Sequence, residues 1–171
     1  MMTTISHQGH TLDIRPVAPD DLTAVLDVYR QCEDFLALGP VSTASMAMVQ
    51  ADLERSRAEG GAFCGVYTPE GQMVGVVDYL PRGFDGNPHF AALSLLMIAL
   101  PFREQGIGAA IVAAVEGEIR KDPGVTAILS GVQVNNPRAV QFWQKLGYHI
   151  VSGPKRMPDQ TTAFELRKDL A

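Results

Sequence analysis

A chain of 171 residues, 46% hydrophobic and 19% charged, is long enough for one substantial core and too short for two ordinary domains. Its net charge of −5 argues against general nucleic-acid binding, which needs clustered Lys and Arg in excess. Cys32 and Cys64 form no CxxC pair, and the longest apolar run, Phe90 to Pro101, falls short of the ~20 residues of a membrane-spanning helix.

The N-terminus, Met-Met-Thr-Thr-Ile-Ser-His-Gln, has no basic stretch followed by an apolar one, so no secretory signal is expected and the chain reads as cytoplasmic, with free thiols and no membrane partner. Leu12 and Ile14 alternate with polar neighbours in His10–Pro16, the period of a half-buried strand. Pro19-Asp-Asp21 opens a helix whose apolar face is Leu22, Val25, Leu26, Val28 and Tyr29, and Gly39-Pro40 ends that region. A second helix is expected from a cap at Ser42 or Thr43 to about Arg57, closed by Glu59-Gly-Gly61. Residues 62–67 and 73–80 read as a hairpin around Thr68-Pro-Glu-Gly-Gln72, followed by a turn-rich loop at 81–88.

From His89 to Leu100 nearly every residue is apolar, as in a central strand covered on both faces. After Gly106-Ile-Gly108, the apolar positions Ile107, Ala110, Ile111, Ala114 and Val115 recur at helical spacing, with Glu116, Glu118, Arg120 and Lys121 polar, until Pro123-Gly124. The strand at 125–134 follows a helix and should lie parallel to its predecessor. A short helix then carries its own punctuation, with Asn136 at the cap, Pro137 at the first helical position and Gly147 past the end. Residues 148–151 and 161–166 read as closing strands, giving one α/β domain with a mixed sheet over residues 1–171.

The strand-to-helix turn reads either as an anion site or as a purely structural turn, since glycines close many such turns. Its glycines let backbone N–H groups approach closely, the helix aims free N–H groups at the same spot, and Arg103 adds a fixed positive charge. A dinucleotide-binding fingerprint would want Gly or Ala where Ile111 stands, and a P-loop would want Gly-Lys-Ser/Thr. A Gly-x-Ser-x-Gly elbow is absent, and His7, His10, His89 and His149 form no i,i+4 pair around a carboxylate, so no metal site is expected and each reads as a surface or packing histidine.

Arg103-Glu-Gln-Gly106-Ile-Gly108 after a strand, followed by Asn136-x-x-Ala139-x-x-Phe142-Trp143-x-x-x-Gly147-Tyr148, resembles the two motifs of the GNAT superfamily of N-acetyltransferases. The likeness is strongest over residues 89–149. It implies a single-domain GNAT-like fold: a mixed, mostly antiparallel sheet flanked by helices, with a parallel pair of central strands splayed at the cofactor site. It also implies acetyl-CoA as acyl donor, its pyrophosphate held by Arg103, Glu104, Gln105, Gly106, Ile107, Gly108 and Ala109. The backbone of Leu96, Met97 and Ile98 would bond the pantetheine as an added strand, with the Met97 N–H facing the thioester oxygen. Asn136 would contact the pantetheine arm, besides or instead of capping its helix, and Trp143 would pack beside the thiol end.

Two residues depart from the family pattern. Trp143 replaces a tyrosine able to protonate the thiolate, and Glu104 stands where glycine is frequent, so its carboxylate must point to solvent or repel the ligand. An amine of pKa near ~10 must lose a proton before attack. Asp78 is the candidate base, or else a solvent-facing strand residue. Glu33 and Asp34 attract a cationic substrate or are a solvated helix end, and a water chain would make all of them dispensable. The resemblance implies acetyl transfer to a primary amine of a small molecule or peptide by direct attack. A non-catalytic acyl-CoA-binding module and, less favoured, an NAD-dependent oxidoreductase are the rivals. Exposed sheet edges near the closing strands and family habit leave room for a homodimer.

Overall fold

The computed structural model describes residues 3–170, which build one eight-stranded sheet. Its strands are β1 (Thr3–His7), β2 (His10–Pro16), β3 (Ala62–Tyr67), β4 (Met73–Leu80), β5 (Phe90–Ile98), β6 (Ala127–Gln133), β7 (His149–Arg156) and β8 (Thr162–Asp169). The order is β1-β2-β3-β4-β5-β6-β8-β7. Every neighbouring pair is antiparallel except β5–β6, which a helix connects and which is therefore parallel.

The helices are α1 (Leu22–Gln31), α2 (Glu33–Leu36), α3 (Met46–Glu59), α4 (Ile107–Ile119) and α5 (Pro137–Lys145). Two apolar cores result, one on each face of the sheet. The first joins Ile107, Ile111 and Val115 of α4 and Trp143 of α5 to Val77, Leu93 and Ile128. The second joins Val25, Leu26 and Tyr29 of α1 and Val49 and Leu53 of α3 to Phe63, Val76 and Met97. Both faces of the central strands are thus covered, which is why β4 and β5 carry near-continuous apolar runs.

Several boundaries move from their expected places. The α3 cap is Ser45, whose Oγ accepts the Met48 N–H at 3.2 Å, rather than Ser42 or Thr43. Residues 3–7 form β1, an edge strand unread in the sequence, and the closing hairpin is longer than expected because the edge strand β7 is exposed at every position and shows no alternation. Glu116, grouped with the polar positions of α4, is buried. It accepts from Tyr148 Oη (3.1 Å) and Lys168 Nζ (2.8 Å), which fastens α4 to β8 and to the chain after α5.

Two irregularities open the sheet. Opposite β4, the pairs Asp78↔Leu95 and Tyr79↔Leu93 leave Ser94 as an extra residue on β5, a β-bulge that bends the strand. Beside it, β5 and β6 pair only at Phe90–Ala92 with Ala127–Leu129, and the buried Ser130 hydroxyl makes one more tie, to the Leu93 carbonyl at 3.0 Å. From Ser94 onward the two strands diverge, and a cleft enters the sheet between them.

Candidate active site

The cleft has a volume of about 1200 Å³ and runs from the turn ahead of α4, along the free edge of β5, to the end of β6. Which backbone groups β5 offers follows from its register. Ala99 N–H bonds Val74 C=O at 2.9 Å, and the paired positions then alternate back along the strand as Val76↔Met97 and Asp78↔Leu95. In an antiparallel pair, residues that exchange hydrogen bonds alternate with residues whose N–H and C=O face outward. Met97 and Leu95 therefore turn their polar groups to β4, and Leu96 and Ile98 turn theirs to the cleft. The expected exposure of the Met97 N–H is corrected: it faces β4, and the Leu96 N–H faces the cleft. The period of two identified the edge, and the register decides its parity.

The turn ahead of α4 presents unpartnered backbone amides. Gly106, at φ +76°, caps α4 without any side-chain bond, and the first helical bond runs from Ala110 N–H to Gly106 C=O at 3.1 Å. The N–H groups of Ile107, Gly108 and Ala109 consequently lack intrahelical partners and stand at the positive end of the helix dipole beside the cleft. Glu104, Gly106, Ile107, Gly108 and Ala109 all line it, whereas Gln105 does not. The Gln105 side chain donates to Pro101 C=O at 2.8 Å, and its carbonyl meets His7 Nε2 at 2.8 Å, so its expected place on a ligand is corrected to a place behind the turn.

Arg103 is a second correction. Its Nε donates to Ile98 C=O (2.9 Å), one terminal nitrogen to Gln31 C=O (2.9 Å), and the fork to Asp34 (2.8 and 3.1 Å). The guanidinium lines the cleft but is committed to these acceptors, and its hydrogen bond holds the Asp34 carboxyl below the usual carboxylate range. Glu104 sits at φ +60°, where glycine is favoured, and its carboxylate bonds Arg138 at 2.6 Å. The charge of Glu104 is thus answered by a cation from α5.

Asn136, a cleft-lining residue, caps α5 through Oδ1, which accepts Ala139 N–H at 3.1 Å, and its amide nitrogen has no hydrogen-bond partner among the described residues. Trp143 lines the cleft's inner wall, edge-on to Phe142 and Tyr148 with ring centroids 5.4 and 4.9 Å away. No tyrosine among the described residues lines the cleft; Tyr148, whose hydroxyl donates to Glu116, lies behind Trp143.

Asp78 is not in the cleft. It is 4% exposed, accepts the Ser56 hydroxyl of α3 at 2.6 Å, and burial pushes its carboxyl above the usual range. A base must reach the proton it removes, so the assignment to Asp78 is withdrawn. Glu33 is also occupied, its Oε1 accepting Ala44 N–H at 2.9 Å to close the loop ahead of α3. A carboxylate near the cleft that sequence reading did not single out is Glu165 on β8, which does not itself line the cleft. It stands directly opposite Gly131, which lines the cleft. Val134 N–H bonds Thr162 C=O, so Gly131↔Glu165 is a pair without mutual hydrogen bonds, the closer of the two spacings, and the two share a face of the sheet. Glu165 is in none of the ion pairs among the described residues, and the space above Gly131 is open. The strand pairing of residues 34 positions apart was not readable from the chain.

Among the described residues, no group of three or more His, Cys, Asp or Glu is arranged to hold a metal ion, and no helix is long and apolar enough to cross a membrane. The model of the acetyltransferase (GNAT) family matches residues 23–148. No match was found among curated proteins. Among solved structures, an acetyltransferase from Thermus thermophilus is 22% identical, with 98% of this chain and 100% of that one covered at a TM-score of 0.78. A ribosomal-protein-alanine N-acetyltransferase from Brucella melitensis is 23% identical, with 92% and 99% covered and a TM-score of 0.69. The protein yncA from Salmonella typhimurium, solved with its cofactor acetyl-CoA, is 17% identical, with 94% of each chain covered and a TM-score of 0.67.

Proposed function

Because the chain belongs to the GNAT acetyltransferase family, we propose that it moves an acetyl group from acetyl-CoA to a primary amine of a small molecule or peptide, by direct attack in a ternary complex. The observation that carries this reading is the continuity of the open β5 edge with the unpartnered amides of α4. An extended amide-containing arm and a diphosphate at its end are complementary to that sequence of donors and acceptors. The acetyl-CoA of the Salmonella structure supports the choice of donor, and the Brucella enzyme's name supports an amine acceptor. With acetyl-CoA drawn from the cell interior, the reaction belongs in the cytoplasm.

Each residue then has a task. The amides of Gly106 to Ala109 hold the diphosphate, the Ile98 N–H and the Asn136 amide nitrogen hold the pantetheine arm, the Ile98 carbonyl being taken by Arg103, and Trp143 closes the apolar wall behind it. The Leu96 N–H donates to the thioester oxygen as charge develops there. The amine nitrogen bonds to the acyl carbon, the C–S bond breaks, and the amine proton leaves through water to Glu165, across the strand pair from the cleft-lining Gly131. With no tyrosine in the cleft, the sulfur leaves as thiolate, which a pKa near ~8.5 permits.

The test is thiol release from acetyl-CoA across a panel of primary amines, with wild type and Glu165→Gln side by side. Glu165→Gln should lower kcat about 10²-fold at neutral pH without weakening acetyl-CoA binding, and the deficit should shrink as rising pH deprotonates the free amine. Binding without thiol release for any amine would instead make the protein an acyl-CoA-binding module.

A further inference from the structure

His7, at the end of β1, lies far in sequence from the turn it touches. Its Nε2 is 2.8 Å from the Gln105 carbonyl oxygen. A carbonyl can only accept, so Nε2 carries the hydrogen and donates it. The ring fits only because residue 106 is glycine: a Cβ there would lie 2.5 Å from His7 Nε2. Gln105 is also drawn outward by its own side chain, which bonds Pro101 C=O, and it does not line the cleft, whereas Gly106 does.

A trans peptide is planar, with its C=O and the following N–H pointing in opposite directions. Holding the Gln105 carbonyl outward on His7 therefore aims the Gly106 N–H inward, beside the free amides of Ile107, Gly108 and Ala109. We propose that His7 is a positioning residue for the anion-binding turn, orienting the Gln105–Gly106 peptide so that its N–H meets the diphosphate of the acyl donor. The inference rests on the donor reading above and adds a residue that itself touches no ligand.

The experiment compares wild type, His7→Ala and His7→Gln with two donors, acetyl-CoA and acetyl-pantetheine, which shares the thioester and the pantetheine arm but lacks the diphosphate. Binding is measured by calorimetry and turnover by thiol release, with melting temperatures recorded to set aside unfolded protein. His7→Ala should raise the dissociation constant and KM for acetyl-CoA about tenfold with kcat nearly unchanged, the size of one lost charge-assisted hydrogen bond. It should leave acetyl-pantetheine kinetics at the wild-type level. His7→Gln, which keeps an N–H donor, should recover part of the loss. Equal losses with both donors, or no loss with either, would overturn the role of His7. Failure of the wild type to bind either donor would overturn the donor reading as well, and so separates the two.

Discussion

At the scale of single residues, Asp78 shows how one carboxylate can look catalytic and serve the core. Burial raises its pKa above the ordinary 3.8, and the Ser56 hydroxyl only partly opposes this. The native state thus binds the Asp78 proton more tightly than the unfolded chain does. Stability associated with this group is fully present below the unfolded value and is lost as pH rises through the folded one. Asp78→Asn keeps an acceptor for Ser56 and removes the titration. Relative to wild type, Asp78→Asn should gain stability progressively from about pH 4 upward, measured by urea unfolding at pH 4 and pH 8, and should acetylate at the wild-type rate. A hundredfold loss of kcat in a folded variant would return Asp78 to the site. Gly106, Gly108 and Asn136 line the cleft, and the turn and cap geometry they take up is specified by the local chain. That the Met97 N–H faces β4, that Gln105 lies behind the turn and that Arg103 is bonded to Asp34 was not legible, because strand parity and the direction of a long side chain depend on neighbours distant in sequence.

At the scale of elements, α4 and α5 were readable because each carries its own start and stop, and β3 to β5 because burial on both faces leaves an apolar run. The edge strands carry a weaker signal: β1 alternates half-buried and exposed positions but has Ile5 as its one apolar residue, and β7 is exposed throughout. Helical periodicity does not reveal that Glu116 faces inward. Its carboxylate is 4% exposed and gathers Tyr148, Lys168 and Arg120. Removing Glu116 leaves the buried Tyr148 hydroxyl without its acceptor, whereas Lys168 and Arg120 are partly exposed and can be hydrated. Glu116→Ala should therefore lower the urea midpoint by an amount corresponding to about 1–3 kcal/mol without a change in slope, and the loss should persist in the presence of saturating acetyl-CoA because the defect lies behind the cleft.

At the scale of the molecule, the cleft has walls from both faces of the sheet, with Cys32, Phe35 and Leu38 from the α1–α2 side facing α4 and α5 across β5. Arg103 joins these parts. Its guanidinium reaches Ile98 at the end of β5, Gln31 at the end of α1 and Asp34 in α2, a set of acceptors matched to a planar fork and not to a single ammonium. This gives Arg103 and His7 different signatures, although both lie against the same turn. An arginine that merely paired with phosphate would matter only for donors that carry one. An arginine that sets the distance between the two walls matters for every donor, because a small misplacement of reacting groups costs up to about 10²-fold in rate. Arg103→Lys should lower kcat/KM between about ten- and a hundredfold with acetyl-CoA and with acetyl-pantetheine alike. Steady-state kinetics with both donors checks this, and a defect confined to acetyl-CoA would show that Arg103 leaves Asp34 to meet the ligand.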